Sequence, residues 1–419
     1  ERYGVMWFDE NDSRTYLAKC DAAQSGPALC LQTKQKTLDV LQRDTTREIL
    51  RNIGCWWMDL PGRGWYNDAD FWKVISKTDE MERKVMARTR PFAPEVAVIV
   101  DEASALRTGA KTVQEWGPLV CESAKLMRAA DRKLNLLAAA SASEGWTGPL
   151  LDKAGRHLDY VSIHGYWDGY NRSRGSCSPY LTCMMRTMSP EQSIKTTIDV
   201  LNRHNCGGRV KIAFDEWNLR GWYHPGLGAF RHEHEFAERR KNDIASTYTM
   251  ADAVFSSCFL NSCLRHGDVV TMACFAPCVN TRGCIFTHKD GIVKRTTWHV
   301  FHMYTHLLES YMVPVNLACG DLCSGASSVP VLDAALTTNA DGTRRVLAIA
   351  NKHPEKQVRL DVAAFTGAKE LKATALIGAS PDDYNDIGAE NRVVSQKVTL
   401  PVKNGSVALA PHAVYCIEL

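Results

Sequence analysis

Residues 210–223 read Val-Lys-Ile-Ala-Phe-Asp-Glu-Trp-Asn-Leu-Arg-Gly-Trp-Tyr, and this stretch decides the fold. Val210, Ile212, Ala213 and Phe214 make a short apolar strand behind Arg209 and Lys211. Asp215, Glu216, Trp217 and Asn218 follow directly at its end. An apolar strand that delivers a carboxylate, an aromatic and an amide at its C-terminal end fits the rim of a parallel β/α barrel, where that fold keeps its chemistry. Taken alone, an Asp-Glu pair reads as an acidic strand end facing solvent.

Outward from that strand the chain alternates strands with helices. Upstream lie a helix at Pro190–Arg203, a strand at Tyr160–Ile163 ending in His164-Gly165-Tyr166-Trp167, and a helix near Pro149–Leu158. Before these come a strand at Leu134–Ala140 and a helix at Val113–Ala130. Val96–Val100 is a continuous β-branched run of the kind buried in a parallel sheet, and it stops at Asp101-Glu102. Further upstream the pattern predicts a helix at Asp68–Arg88, a strand at Cys55–Met58, a helix at Thr45–Asn52 and a strand at Tyr3–Phe8, the last ending in Asp9, Glu10 and Asp12. Downstream it predicts a helix at Glu238–Arg265, a strand at Val269–Phe275 and a helix at Thr297–Tyr311.

This alternation means an α/β parallel architecture. Seven strand segments precede residue 313, whereas a barrel closes with eight. The expectation is therefore a (β/α)8-type barrel missing its first strand. A doubly wound sheet is the alternative, but it calls for Gly-rich phosphate fingerprints, and the sequence has none. After Val313 the pattern changes to short alternating strands, among them Arg345–Asn351, Leu371–Ile377 and Ala413–Leu419, with turns at Asp341-Gly342 and Asn404-Gly405. These predict an all-β sandwich. The expected division is a barrel over 1–312 and a supporting sandwich over 313–419.

Composition narrows the partners. With 419 residues there is room for one barrel and a smaller domain. A net charge of +3 gives no basis for a nucleic-acid or membrane-surface partner, and no apolar run approaches the ~18 residues of a membrane span. Residue 1 is Glu and no signal peptide precedes it, so processing or truncation removed the start; the strand count favours truncation, and the compartment stays open. Fifteen cysteines include no C-x-x-C pair and no zinc pattern; Cys177 with Cys183, or Cys319 with Cys323, could pair in an oxidising compartment, which the sequence does not decide. His232-Glu233-His234 lacks the spacing of a helical metal motif and reads as an exposed loop. No metal or cofactor is expected.

The motif Phe214-Asp215-Glu216-Trp217-Asn218, followed by Trp222, Tyr223 and His224, closely resembles the nucleophile strand of glycoside hydrolase family 51, the α-L-arabinofuranosidases. From about Gly109 to Leu419 the likeness is almost continuous. It includes Gly109–Gly117, Asp159–Tyr166 with its His-x-Tyr pattern, and Leu409-Ala410-Pro411-His412-Ala413-Val414. The first 108 residues look more like the late barrel strands of family 42-like β-galactosidases, through Phe8–Thr15, Gly54–Asp59 and Gly64–Asp68.

The resemblance implies a clan A barrel with Glu216 as nucleophile and Glu102 as acid/base, at the ends of what would be the seventh and fourth strands. Glu10 is a rival partner carboxylate, because Phe8-Asp9-Glu10 resembles a family 42-type nucleophile strand. Retention requires the two carboxyls ~5–5.5 Å apart. His164 and Tyr166 are implied to hold the nucleophile and the ring-oxygen region. Asp101 replaces the family's Asn against the sugar 2-hydroxyl; Trp217, Asn218, Trp222, Tyr223 and Asn280 complete the implied sugar contacts, although Trp217, next to the catalytic strand, could equally be core packing. Two positions depart from the pattern: Arg220 stands where a Trp is usual and Pro277 where a Gln is expected. Both point to a changed sugar subsite.

The leading expectation is a retaining exo-acting α-L-arabinofuranosidase on plant polysaccharide side chains. A β-galactosidase or galactofuranosidase, or a non-catalytic carbohydrate-binding remnant, are the alternatives. An oligo- or polysaccharide is the expected partner, and a homo-oligomer is expected by resemblance.

Overall fold

The computed structural model describes residues 8–11, 13–18, 31, 33–51, 54–57, 59, 64–88, 97–98, 113–130, 132–168, 178–220, 248–276, 279, 283–288 and 291–419. The chain forms two compact units, one of residues 1–138, 156–158 and 223–236, the other of residues 139–155, 159–222 and 237–419.

The first unit holds β1 (Phe8–Asn11), α1 (Lys34–Arg51), β2 (Gly54–Trp57), α2 (Ala69–Arg88), β3 (Ala97–Val98), α3 (Val113–Ala130) and β4 (Leu136–Ala139). β1 pairs with β2 and β3 with β4, both parallel. Leu41, Trp65, Tyr66 and Phe71 form a small buried core. Beside it the Asp59 carboxylate accepts the Gly64 and Trp65 backbone N–H groups at 2.8 and 3.0 Å.

Two boundaries differ from the sequence pattern. α1 begins at Lys34 rather than Thr45, because Thr33 Oγ1 accepts the Lys36 N–H and starts the helix there. β1 lies at 8–11, so Asp9 and Glu10 sit within the strand instead of following it.

The second unit opens with α4 (Glu144–Ala154), followed by β5 (Tyr160–Asp168), α5 (Tyr180–Met184), α6 (Ser189–Arg203), β6 (Lys211–Arg220), α7 (Met250–Arg265) and β7 (Val270–Phe275). β5, β6 and β7 are adjacent and parallel. A hairpin of β8 (Ile285–His288) and β9 (Gly291–Lys294) leads to α8 (Thr296–Leu307). The remainder is all-β. Its main sheet is antiparallel and contains β10 (Tyr311–Val313), β13 (Leu332–Thr338), β14 (Arg345–Asn351), β16 (Glu370–Leu376), β17 (Ser395–Pro401) and β19 (Ala413–Glu418), in the order β10-β13-β14-β19-β16-β17. The ladders β11 (Asp321–Ser324) with β12 (Ser327–Pro330), and β15 (Val358–Asp361) with β18 (Ser406–Leu409), complete it.

Helix α7 ties the parallel strands to this sheet. Thirteen of its residues are buried, so it has no solvent-facing stripe of the kind a surface helix shows. Phe255, Cys258 and Phe259 share one hydrophobic cluster with Phe214 and Trp217 of β6 and with Ala348, Ile349 and Tyr415 of the β-sheet. The polar ends of the contact are paired as well. Asn261 Nδ2 donates to Asp333 Oδ1 at 2.9 Å, and Arg265 NH1 donates to Asp333 Oδ1 and to the Ala334 carbonyl. His266, beside Arg265 and Lys195, holds Glu191 on α6 well below the usual carboxylate range by hydrogen bonding.

At its N-terminus α7 carries a capping box. Thr249 Oγ1 accepts the Ala251 N–H, and Asp252 accepts the Thr249 N–H at 3.0 Å. Asp252 also grips Arg220 with both oxygens, at 2.9 Å from Nε and 2.9 Å from NH2. The other side of the same guanidinium reaches Asp168 Oδ2 at 2.8 Å. Arg220 is 1% exposed, so this triad is a buried charge cluster joining the ends of β5 and β6 to the start of α7. Cys183 lies against it, and burial pushes its thiol up to about 12. Cys183, Cys319 and Cys323 are free thiols; Cys177 lies outside the described residues.

Removing one member of such a cluster leaves a desolvated charge without its partner, which costs about 3–5 kcal/mol. Asp252→Ala, which also deletes half of the cap, is expected to lose that much stability as a lower denaturant midpoint at unchanged m-value. A second expectation concerns His204 behind α6, whose Nε2 and Nδ1 lie 2.6 Å from Glu144 and 2.7 Å from Asp152. The Glu144 hydrogen bond, opposed by burial and aided by Asp152, lifts the His204 pKa above its ordinary 6.5. Its stabilisation is therefore full below the unfolded pKa and is lost as pH rises through the raised folded one. His204→Ala is expected to lower the denaturant midpoint more at about pH 6 than at about pH 9, with the wild type measured at both.

Candidate active site at the ends of strands β5 and β6

β6 has to satisfy two demands on one short segment. Phe214 and Trp217 are both 0% exposed and both pack on α7; Trp217 stacks on Phe259 at 3.6 Å between centroids, and Phe214 meets the same ring edge-on at 5.0 Å. In a regular strand two positions three apart would point to opposite faces. The register shows how the conflict is resolved. Against β5, Ala213 pairs with Ser162 but Glu216 pairs with His164, and against β7, Phe214 pairs with Ala273 but Trp217 pairs with Phe275. β6 thus holds one extra residue, a bulge at Asp215-Glu216. Bulges re-aim side chains in this way. Here both acids leave the core face together.

The two carboxylates meet residues of β5. Ser162 Oγ donates to Asp215 Oδ1 at 2.7 Å and lies 3.3 Å from His164 Nε2. The His164 ring sits between the acids, with Nε2 3.5 Å from Asp215 Oδ1 and Nδ1 3.5 Å from Glu216 Oε2. Tyr166, one pleat further along, donates its hydroxyl to Glu216 Oε1. Side-chain exposures of 24% for Asp215, 32% for Glu216 and 50% for His164 leave the group open to a solute while its rear is packed. Gly165 is required between His164 and Tyr166, because a Cβ there would collide with Cζ2 and Cη2 of Trp167. That ring packs against Phe214, Phe255 and Phe259.

Of the residues singled out in the sequence, Glu216, His164 and Tyr166 are brought together. Trp217 is not a sugar-facing aromatic: it is fully buried, because the bulge turns it back into the α7 contact. Asn218 is also turned inward, its Nδ2 donating to the Ala276 carbonyl at 3.1 Å and its Oδ1 accepting the Arg220 N–H at 3.1 Å. Arg220 belongs to the buried charge cluster rather than to a sugar subsite, so it gives no support to a galactoside preference. Both strands run past their expected ends, β5 to Asp168 and β6 to Arg220, which explains why these residues lie inside the fold. Glu102, Asp101, Trp222, Tyr223, Asn280, Pro277 and the His232–His234 cluster lie outside the described residues, as does the side chain of Glu10.

Asp215 and Ser162 are members of the cluster that motif reading does not single out. The i, i+2 spacing of Ser162 and His164 on one strand face is the signal that finds the second. Among the described residues no group of three or more His, Cys, Asp or Glu is arranged to hold a metal ion.

Residues 215–413 match the family model for the α-L-arabinofuranosidase C-terminal domain. An intracellular exo-α-(1→5)-L-arabinofuranosidase of Bacillus subtilis is 26% identical over 73% of this chain and 60% of its own length. A probable α-L-arabinofuranosidase C of Aspergillus niger is 30% identical over 50% of this chain and 40% of its own. The chain thus spans 60% or less of these curated relatives. In three dimensions it is similar to the arabinose complex of Thermotoga maritima α-L-arabinofuranosidase, with a TM-score of 0.67 and 21% identity over 82% of this chain and 69% of that one. A family 51 enzyme of Thermotoga petrophila aligns over the same shares with a TM-score of 0.63 and 22% identity. These likenesses show the fold, an α/β barrel followed by an antiparallel β-sandwich. Residues 215–413 thus carry the α-L-arabinofuranosidase C-terminal domain, and the chain shares the fold of glycoside hydrolase family 51 enzymes.

Proposed function

We propose that this chain is a retaining glycoside hydrolase that removes terminal α-L-arabinofuranosyl residues from plant polysaccharides, with Glu216 as its nucleophile. One observation carries the reading: the bulge in β6 presents a partly exposed Glu216 carboxylate with Tyr166 donating to Oε1 and His164 against Oε2. A carboxylate held on both oxygens has a fixed trajectory, which is what attack on an anomeric carbon requires.

The reaction is a double displacement. Glu216 attacks the anomeric carbon while the partner carboxyl protonates the departing glycosidic oxygen, giving a glycosyl ester on Glu216. The partner, now a carboxylate, takes a proton from water, which attacks the same carbon and frees Glu216. Glu102 is proposed as that partner and Asp101, Trp222 and Asn280 as sugar contacts, all from the sequence resemblance. Residues 1–312 are proposed to carry the reaction and 313–419 to support them. The relatives' names supply the sugar: they are arabinofuranosidases.

A panel of nitrophenyl glycosides tests the proposal. Release from the α-L-arabinofuranoside is expected, with Glu216→Ala inactive in the absence of a nucleophile and azide restoring part of the turnover as the glycosyl azide. Turnover of a galactoside alone, or binding to arabinoxylan without turnover of any substrate, would overturn it. Tyr166→Phe removes a hydrogen bond to a charged group, worth ~1.5–3 kcal/mol. It is expected to lower kcat by about 10- to 150-fold, measured on the same substrate.

A further inference from the structure

We infer that Ser162 and Asp215 form a positioning relay that sets the His164 ring against the nucleophile, a role that rests on the hydrolase reading of Glu216. The β6 bulge leaves Asp215 and Glu216 side by side on the outward face, where neighbours in a regular strand would point to opposite faces. The Ser162 hydroxyl anchors Asp215 there at 2.7 Å.

The donor arithmetic fixes the ring. A serine hydroxyl has one hydrogen, and an ionised carboxylate only accepts, so the Ser162 hydrogen points at Asp215. The Ser162 oxygen then offers a lone pair toward His164 Nε2, 3.3 Å away, and Nε2 carries a hydrogen. On the other edge of the ring, Nδ1 meets Glu216 Oε2 at 3.5 Å, a second acceptor. The Ser162 contact therefore sets the Nε2 edge of the ring toward β5 and leaves the Nδ1 edge toward Glu216. Asp215 Oδ1 lies 3.5 Å from Nε2, on the far side of the ring from Glu216.

Ser162 is 4% exposed and fixed by the β5 backbone, so the relay is pinned to the strand rather than to a loop. Asp215 acts on substrate through His164 and Glu216. It is a positioning residue, and a misplacement of ~1 Å at the reacting atoms costs on the order of 10²-fold in rate.

That chain of dependence is measurable on the full chain with nitrophenyl α-L-arabinofuranoside. Asp215→Asn is expected to lower kcat by on the order of 10²-fold with KM within about twofold. Ser162→Ala should lower kcat by ~10- to 150-fold, the value of one hydrogen bond to a charged group, and Ser162→Thr should restore it. The deciding readout is a double-mutant cycle. With Glu216→Ala rescued by azide, adding Asp215→Asn should change the rescued rate by less than about twofold, because the carboxylate against which the relay sets His164 is gone. An equal loss of rate in both backgrounds, or an Asp215→Asn enzyme within about twofold of wild type, would overturn the relay while leaving the hydrolase reading intact. A wild-type protein that releases nothing from the substrate would overturn both.

Discussion

A β-strand alternates its faces every residue, and β6 has to break that rule once. Phe214 and Trp217 must both reach the aromatic face of α7, three residues apart, while two acids between them must both look away from it. One inserted residue reconciles the two sides. Without it, either Trp217 would leave its stack on Phe259 or one carboxylate would be driven into an apolar cluster, where an ionised group is costly. The chemistry of the outward face and the packing of the inward face are thus two readings of a single register shift.

The buried Arg220 cluster holds that shift in place. Beyond the bulge β6 continues for several residues toward the protein interior, and its last side chain is a cation. A buried guanidinium is tolerated only when its donors are used, and Asp168 and Asp252 use them from two different elements. The Asp252 carboxylate also receives the Thr249 N–H, so the same oxygens that neutralise Arg220 start α7. The strand with Glu216, the strand with His164 and the helix beneath them are fixed at one point.

Much of this was legible in the amino-acid order. The apolar runs at Val210 and Tyr160 predict β5 and β6, and the DEWN and His-x-Tyr motifs bring Glu216, His164 and Tyr166 together before any coordinates are considered. What escaped has identifiable causes. Arg220 reads as a subsite residue because its partners are 52 and 32 positions away in the chain, beyond the reach of any local pattern. Trp217 at a strand end has the same sequence signature whether it faces a sugar or Phe259, and only the bulge decides between them. Pro149 suggests a helix start, yet α4 begins at Glu144 and carries the proline inside it. The strands run longer than their apolar cores for a related reason: polar residues read as the end of β5 and β6, although pairing there continues to Asp168 and Arg220.

The burial of α7 on nearly all sides bears on how such a chain can be rearranged. A helix that supplies core to a parallel layer on one side and to an antiparallel layer on the other belongs to neither. Any exchange of β-sandwiches between homologous enzymes would have to move this helix with the graft, or rebuild the aromatic contacts it makes on both flanks. The seam along which this architecture can be recombined therefore runs around α7, not along the linker that follows α8.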